Sequence, residues 1–280
     1  MLRRMLIALV ACSAVGLTAE SAVASERSPG CGAPPERPPE AFLVADRKRH
    51  ALVVLPDGYE PGRPHALVFG FHGRTNDNQQ ARAYFGLEKA ASGPTIYVYP
   101  AALTDRSGRF SWADPDDPPD ALRDFALFDV ILERLASSYC IDLGAVYAVG
   151  HSLGASFANS LACARTNRIR AVAAVAGGIT SSDCSGEVAA LLLHNPRDRA
   201  VPLREGERAR NILLEHQDDR NRPSRRRVGD FRCNQYGLWK HPLLWCVHGQ
   251  NLTSRGRYYP HQWPEGAAQA IATFFNSLRG

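Results

Sequence analysis

None of the seven cysteines stands in a CxxC pair, the commonest spacing of a zinc or dithiol redox site, so neither chemistry is expected. The basic run "RNRPSRRRVG" (220–229) has five arginines and no aromatic among them. Nucleic-acid binding would interleave the two, so a solvated surface loop is the expectation there. No internal repeat and no linker-like stretch interrupts the chain, which points to one domain in its 280 residues. A charged fraction of 22% beside 45% hydrophobic residues is too apolar for a disordered chain and sufficient for a sizeable core.

The chain begins "MLRRMLIALVACSAVGLTAESAVAS": a basic start, an apolar stretch too short for a membrane span, and Ala22-Val23-Ala24 as a small-residue cleavage site. Residues 1–24 therefore read as an export signal, with 25–45 an irregular, proline-rich lead-in and 46–280 the folded domain. Leu9-Val10-Ala11-Cys12 also fits the pattern cut and lipidated at cysteine in bacterial lipoproteins, and anchoring through Cys12 is the alternative to a soluble secreted product. The mature chain keeps six cysteines, an even number that suggests disulfides. Cys140 precedes the strand leading to Ser152 and Cys163 ends the helix leaving it, so Cys140–Cys163 is the pairing expected from geometry.

Apolar, β-branched runs recur at 51–56, 66–71, 95–100, 146–150, 171–177, 188–194 and 243–248, several unbroken, as in strands covered on both faces. Helical patterns lie between them. Residues 120–137 place Leu122, Phe125, Phe128, Leu132 and Leu135 on one stripe with Asp120 as N-cap. Residues 153–164 form an alanine-rich helix, and 264–278 start at Pro264 and turn Ile271, Phe274, Phe275 and Leu278 inward. Strands alternating with helices predict an α/β fold, a mostly parallel sheet with helices on both faces.

Within "VYAVGHSLGASFANSLAC" (146–163) a serine sits between glycines at a strand-to-helix junction. Gly150-x-Ser152-x-Gly154 is the pattern of a nucleophile elbow, whose glycines leave room for a sharp turn. A serine hydroxyl needs a base, and the base a carboxylate, in the chain order Ser, Asp, His. Asp198 follows the strand in "LLLHNPRDRAVP", and His261 follows the last strand and precedes the last helix. Asp183, Asp218 and Asp219 read as solvated carboxylates, and His151 and His72 as structural groups; His248, ending a strand, is the rival base. An oxyanion requires N–H donors, and the Leu153 and Arg74 amides are the candidates, with Gly73 permitting close approach and Thr75 adding a hydroxyl. Trp112 and Trp263 are candidate substrate contacts, Trp112 equally readable as a loop anchor.

Together "GCG" (30–32), "FGFHGRTND" (69–77), "SYCID" (138–142), the elbow, "HNPRD" (194–198), "WCVH" (245–248) and "HQWP" (261–264) resemble a family of secreted α/β-hydrolases. That family groups feruloyl esterases and acetylxylan esterases with polyhydroxybutyrate depolymerases. The resemblance implies an α/β-hydrolase fold and a triad matching Ser152, Asp198 and His261. It implies ester hydrolysis on plant polysaccharide, with polyester depolymerisation as runner-up and a non-catalytic binding protein as the other class. No metal or organic cofactor is called for; the expected partner is an ester substrate, possibly polymeric, with no nucleic acid, no membrane unless Cys12 is lipidated, and a monomeric chain. Two departures stand out. Tyr258-Tyr259-Pro260 replaces glycines usual before the histidine, in a lengthened 249–260 segment, and Asn195 replaces a glycine after His194.

Overall fold

The computed structural model describes residues 26–114, 122–181, 184–217, 222–237 and 240–279. The expected export signal, Cys12, Asp120, Asp183, Asp218 and Asp219 lie outside them. In chain order the elements are β1 (Ala41–Val44), β2 (Arg47–Val54), β3 (His65–Phe71), α1 (Asn78–Phe85), α2 (Leu87–Ala90), β4 (Thr95–Pro100), β5 (Leu103–Thr104), β6 (Phe110–Ser111) and α3 (Arg123–Ser138). There follow β7 (Ile141–His151), α4 (Leu153–Ala164), β8 (Ala171–Val175), β9 (Ala189–His194), α5 (Leu203–Glu215), β10 (Ser224–Val228), β11 (Phe231–Tyr236), β12 (Leu243–Val247) and α6 (Ala267–Asn276).

Ten strands form one sheet in the order β1-β2-β4-β3-β7-β8-β9-β12-β11-β10. The six in the middle, from β4 to β12, run parallel, and an antiparallel pair closes each side. This is the α/β-hydrolase architecture, in a single domain. Alternation along β3 and β7 explains its two cores. Leu67, Phe69, Val146 and Ala148 point to one face, where Phe125, Phe128, Phe157 and Leu161 of α3 and α4 cover them. Val68, Tyr147 and Val149 point to the other, under Phe85 of α1 and Ile271, Phe274 and Phe275 of α6. Burial on both faces is why these strands read as unbroken apolar runs.

Several expectations need correcting. Cysteine 140 bonds to Cys31, while Cys163 bonds to Cys184 and Cys233 to Cys246. The lead-in read as irregular contains β1, and its start is tied down: Ser28 N–H donates to Ile141 O (2.9 Å) and Gly30 N–H to Ala136 O (2.8 Å), which carries Cys31 to the foot of β7. The segment after β8 runs back along α4, with Ser185 N–H on Cys163 O (2.9 Å), and presents Cys184 to the helix end. Arginines 225–227 lie on β10, an edge strand, rather than in a loop. Leu122 precedes α3 and is exposed, and α6 begins after Gly266, leaving Pro264 outside it. Helices α1, α2 and α5 have no counterpart among the helices expected from the sequence; α1 begins with a capping box between Asp77 and Gln80.

Candidate active site

Strand β7 delivers the chain to Ser152, and α4 takes it away. Ser152 has φ 57° and ψ −125°, a conformation that side-chain-bearing residues rarely adopt, so the surroundings must hold it. They do so by close approach. A β-carbon at Gly150 would overlap the Gly154 carbonyl, and one at Gly154 would overlap the Phe71 and His72 carbonyl oxygens of the neighbouring strand end. Both glycines are therefore steric requirements of the turn. Ser152 N–H is fixed by Val175 O at 3.0 Å.

Asp198 lies in the loop after β9, and His261 in the segment between β12 and α6. His261 Nδ1 is 2.6 Å from Asp198 Oδ2, and its Nε2 is 2.7 Å from Ser152 Oγ. A carboxylate only accepts, so Nδ1 carries the proton and Nε2 is the acceptor facing the serine hydroxyl. Burial works to raise the Asp198 pKa, but hydrogen bonds from His261, Val201 N–H and Ala200 N–H outweigh it and hold the carboxyl below its ordinary range.

Beside them, His151 is buried and lies with its ring 5.2 Å from that of His261. Its Nε2–H donates to the His261 carbonyl at 3.1 Å, and its Nδ1 accepts from Tyr84 Oη–H at 3.1 Å. Desolvation first, then the nearby His261, push its pKa down to about 3, so the ring stays neutral and keeps this tautomer. His151 thus holds the backbone of the residue whose side chain faces Ser152.

The remaining candidates divide by position. A β-carbon at Gly73 would sit 3.4 Å from Ser152 Cβ, so the Arg74 and Thr75 loop lies against the elbow, as does Leu153, the first residue of α4. His72 is fully buried and structural: Nδ1 contacts Gly73 O at 2.8 Å and Nε2 accepts from Ala102 N–H at 3.0 Å. Trp112 is only 4% exposed. Its ring stacks on Phe157 (5.1 Å) and meets Phe71 edge-on, and its Nε1–H donates to His72 O. It anchors a loop and offers no open face to a ligand, contrary to the substrate-contact reading. Trp263 is half-buried, stacked on Phe85 at 4.3 Å, and lines a cavity of about 1140 Å³ with Thr75, Tyr84, His151 and Tyr259. His248 makes no hydrogen bond to the serine and lies edge-on to Phe231 at 6.1 Å, with neither ring nitrogen hydrogen-bonded among the described residues. Burial above all drives its pKa down to about 4.

Among known proteins, the chain is 30% identical over 234 residues to feruloyl esterase C of Emericella nidulans, covering 79% of this chain and 82% of that one. The chain belongs to the feruloyl esterase family. Feruloyl esterase D of Neurospora crassa is 28% identical over 68% of both chains. Among solved structures, a ferulic acid esterase of Anaeromyces mucronatus (TM-score 0.54, 16% identity) shares the fold over 85% of this chain and 88% of that one. An acetyl xylan esterase of Aspergillus awamori (TM-score 0.59, 12% identity) does so over 81% and 94%. No family model matches the chain. As a member of the feruloyl esterase family the protein is a carboxylic ester hydrolase.

In this feruloyl esterase relative, three contributors to the site were not read from the sequence. Tyr84 was hidden because α1 itself was unrecognised. Asn195 was noted only as a departure; it is fully buried, and its Nδ2 donates to Gln250 O (2.8 Å) and Asn251 Oδ1 (3.1 Å), tying the Asp198 loop to the His261 loop. Gln250 closes the other side, its Oε1 accepting from Glu265 N–H at 2.8 Å. The glycine-to-asparagine difference was the one available signal.

Proposed function

We propose that the protein hydrolyses feruloyl or acetyl esters carried by plant polysaccharide, through an acyl-enzyme on Ser152. The unbroken line from Ser152 Oγ through both nitrogens of His261 to Asp198 supports this reading more than any other observation. His261 Nε2 takes the hydroxyl proton as Oγ attacks the ester carbonyl, and the oxyanion is met by the Leu153 and Arg74 amides. His261 then protonates the departing alcohol and later deprotonates the water that releases the acid. Asp198 holds the imidazole tautomer and stabilises the imidazolium.

Hydrolysis of methyl ferulate and acetylated xylan tests the substrate class directly. Ser152→Ala loses on the order of 10⁶-fold in kcat if the triad acts as a unit, and a fluorophosphonate labels the native protein at Ser152 alone. Turnover near native in that variant defeats the proposal. The mature chain is exported, a placement supported by its three disulfides. A mature N-terminus at Ser25 supports a soluble secreted form, whereas a lipid-bearing Cys12 supports the anchored one.

A further inference from the structure

Several arginines of the body are neutralised by a carboxylate. Arg49 pairs with Asp124, Arg165 with Asp129, Arg168 with Glu133 and Arg134 with Glu36. The loops bearing the candidate site differ. The loop beside the elbow carries Arg74, the Asp198 loop carries Arg197 and Arg199, and the His261 loop carries Arg255 and Arg257. All five are exposed, and none has a carboxylate within 4.0 Å among the described residues. On the same three loops Asp198 is occupied by His261 and Asp77 by the capping of α1, leaving Glu265 against five guanidiniums.

The His261 loop is built to hold its arginines in place. Thr253 N–H donates to Arg257 O (2.9 Å), Gly256 N–H to Thr253 O (2.8 Å) and Tyr259 N–H to Asn251 O (2.7 Å), and Leu252 bridges Tyr258. Arg257 lies over the Tyr259 ring at 5.2 Å, and Tyr259 meets the His261 ring edge-on at 6.0 Å. Two ring contacts therefore separate a guanidinium from the base. Arginine presents a planar donor fork that matches carboxylates, and like charges carried on neighbouring loops without counter-ions favour the arrival of an anion.

We propose that this cationic rim binds the polyanionic backbone of the ester substrate, a uronate-rich polysaccharide chain. Five charges on three loops match repeated carboxylates along a polymer better than a single charge on the acyl group. The inference rests on the ester hydrolysis proposed above and specifies its substrate class.

The test compares three ferulate esters with the full mature chain: methyl ferulate, a feruloylated arabinose oligosaccharide, and a feruloylated galacturonate oligosaccharide of equal length. At low salt, kcat/KM for the galacturonate ester exceeds that for the arabinose ester by about tenfold, and the ratio falls towards one as sodium chloride is raised to 0.5 M. In the double variant Arg255→Gln/Arg257→Gln the low-salt ratio also falls towards one. A monoferuloyl ester bearing one carboxylate on the acyl side gains nothing. A native ratio near one, a ratio insensitive to salt or to the double variant, or an equal gain from the acyl-side carboxylate each overturns the proposal. Loss of all activity on methyl ferulate would instead remove the ester-hydrolysis reading, so the two failures are separable.

Discussion

The two ends of the parallel strands are held by different means. At the foot, where β7 begins and α4 ends, Cys31–Cys140 and Cys163–Cys184 fasten the lead-in and the segment after β8 covalently. At the head, the loops bearing Ser152, Asp198 and His261 are joined by side-chain hydrogen bonds through Asn195, Gln250, His151 and Tyr84. The foot carries stability that function does not touch. The head carries a strained serine, a buried carboxylate hydrogen-bonded to His261 and arginines without a carboxylate partner among the described residues, features that cost stability and are tolerated where chemistry needs them.

The largest expected effect sharpens this contrast at the head. Asp198→Asn lowers kcat on methyl ferulate by about 10⁴-fold, because the amide no longer fixes the His261 tautomer; unchanged turnover would break the assignment of the head to chemistry. At the foot, Cys31→Ser/Cys140→Ser costs about 2–5 kcal/mol in denaturant unfolding, since the bond closes a span of 109 residues. The folded fraction keeps its kcat, and a variant that stays as stable but loses turnover would show the two ends to be coupled.

Acid separates them further. His151 and His248 have folded-state pKa values of about 3 and about 4, below the ordinary 6.5, so between those limits the unfolded chain binds more protons. Stability is therefore full above pH 6.5 and falls by about 1 kcal/mol per pH unit per group as pH drops towards those values. Calorimetry of native protein from pH 7 to 4.5 shows the falling Tm, and His248→Phe makes the slope shallower; an unchanged slope would remove His248 as a source. The smallest effect lies away from both ends. Arg227 and Arg232 face each other across β10 and β11, and Arg232→Thr relieves the repulsion by about 0.2–0.5 kcal/mol, read as a slightly raised denaturation midpoint. A lowered midpoint would mean the pair is held together by a counter-ion.

Much of this was legible in residue order because the signals were local. The Gly150 and Gly154 requirement is a short-range steric one, the buried strands read as apolar runs, and α4 begins and ends where its alanines do. Asp198 and His261 could be nominated from loop position after a strand. The arginine run was misplaced because polar edge strands and loops look alike in composition, and α1 because a short polar helix has little periodicity. The cystine pairing failed because it depended on where an irregular lead-in docks.

The sequence by itself determined the α/β alternation, the strained turn at Ser152 and the residues able to act with it, since each follows from side-chain size, period and chemistry within a few neighbours. Only the tertiary structure decided that Ser152, His261 and Asp198 meet within hydrogen-bond distance, that Trp112 is buried, and that Cys140 finds Cys31. Those outcomes depend on how distant loops converge at each end of the sheet. That convergence is fixed by packing among groups more than sixty residues apart, which no local pattern encodes.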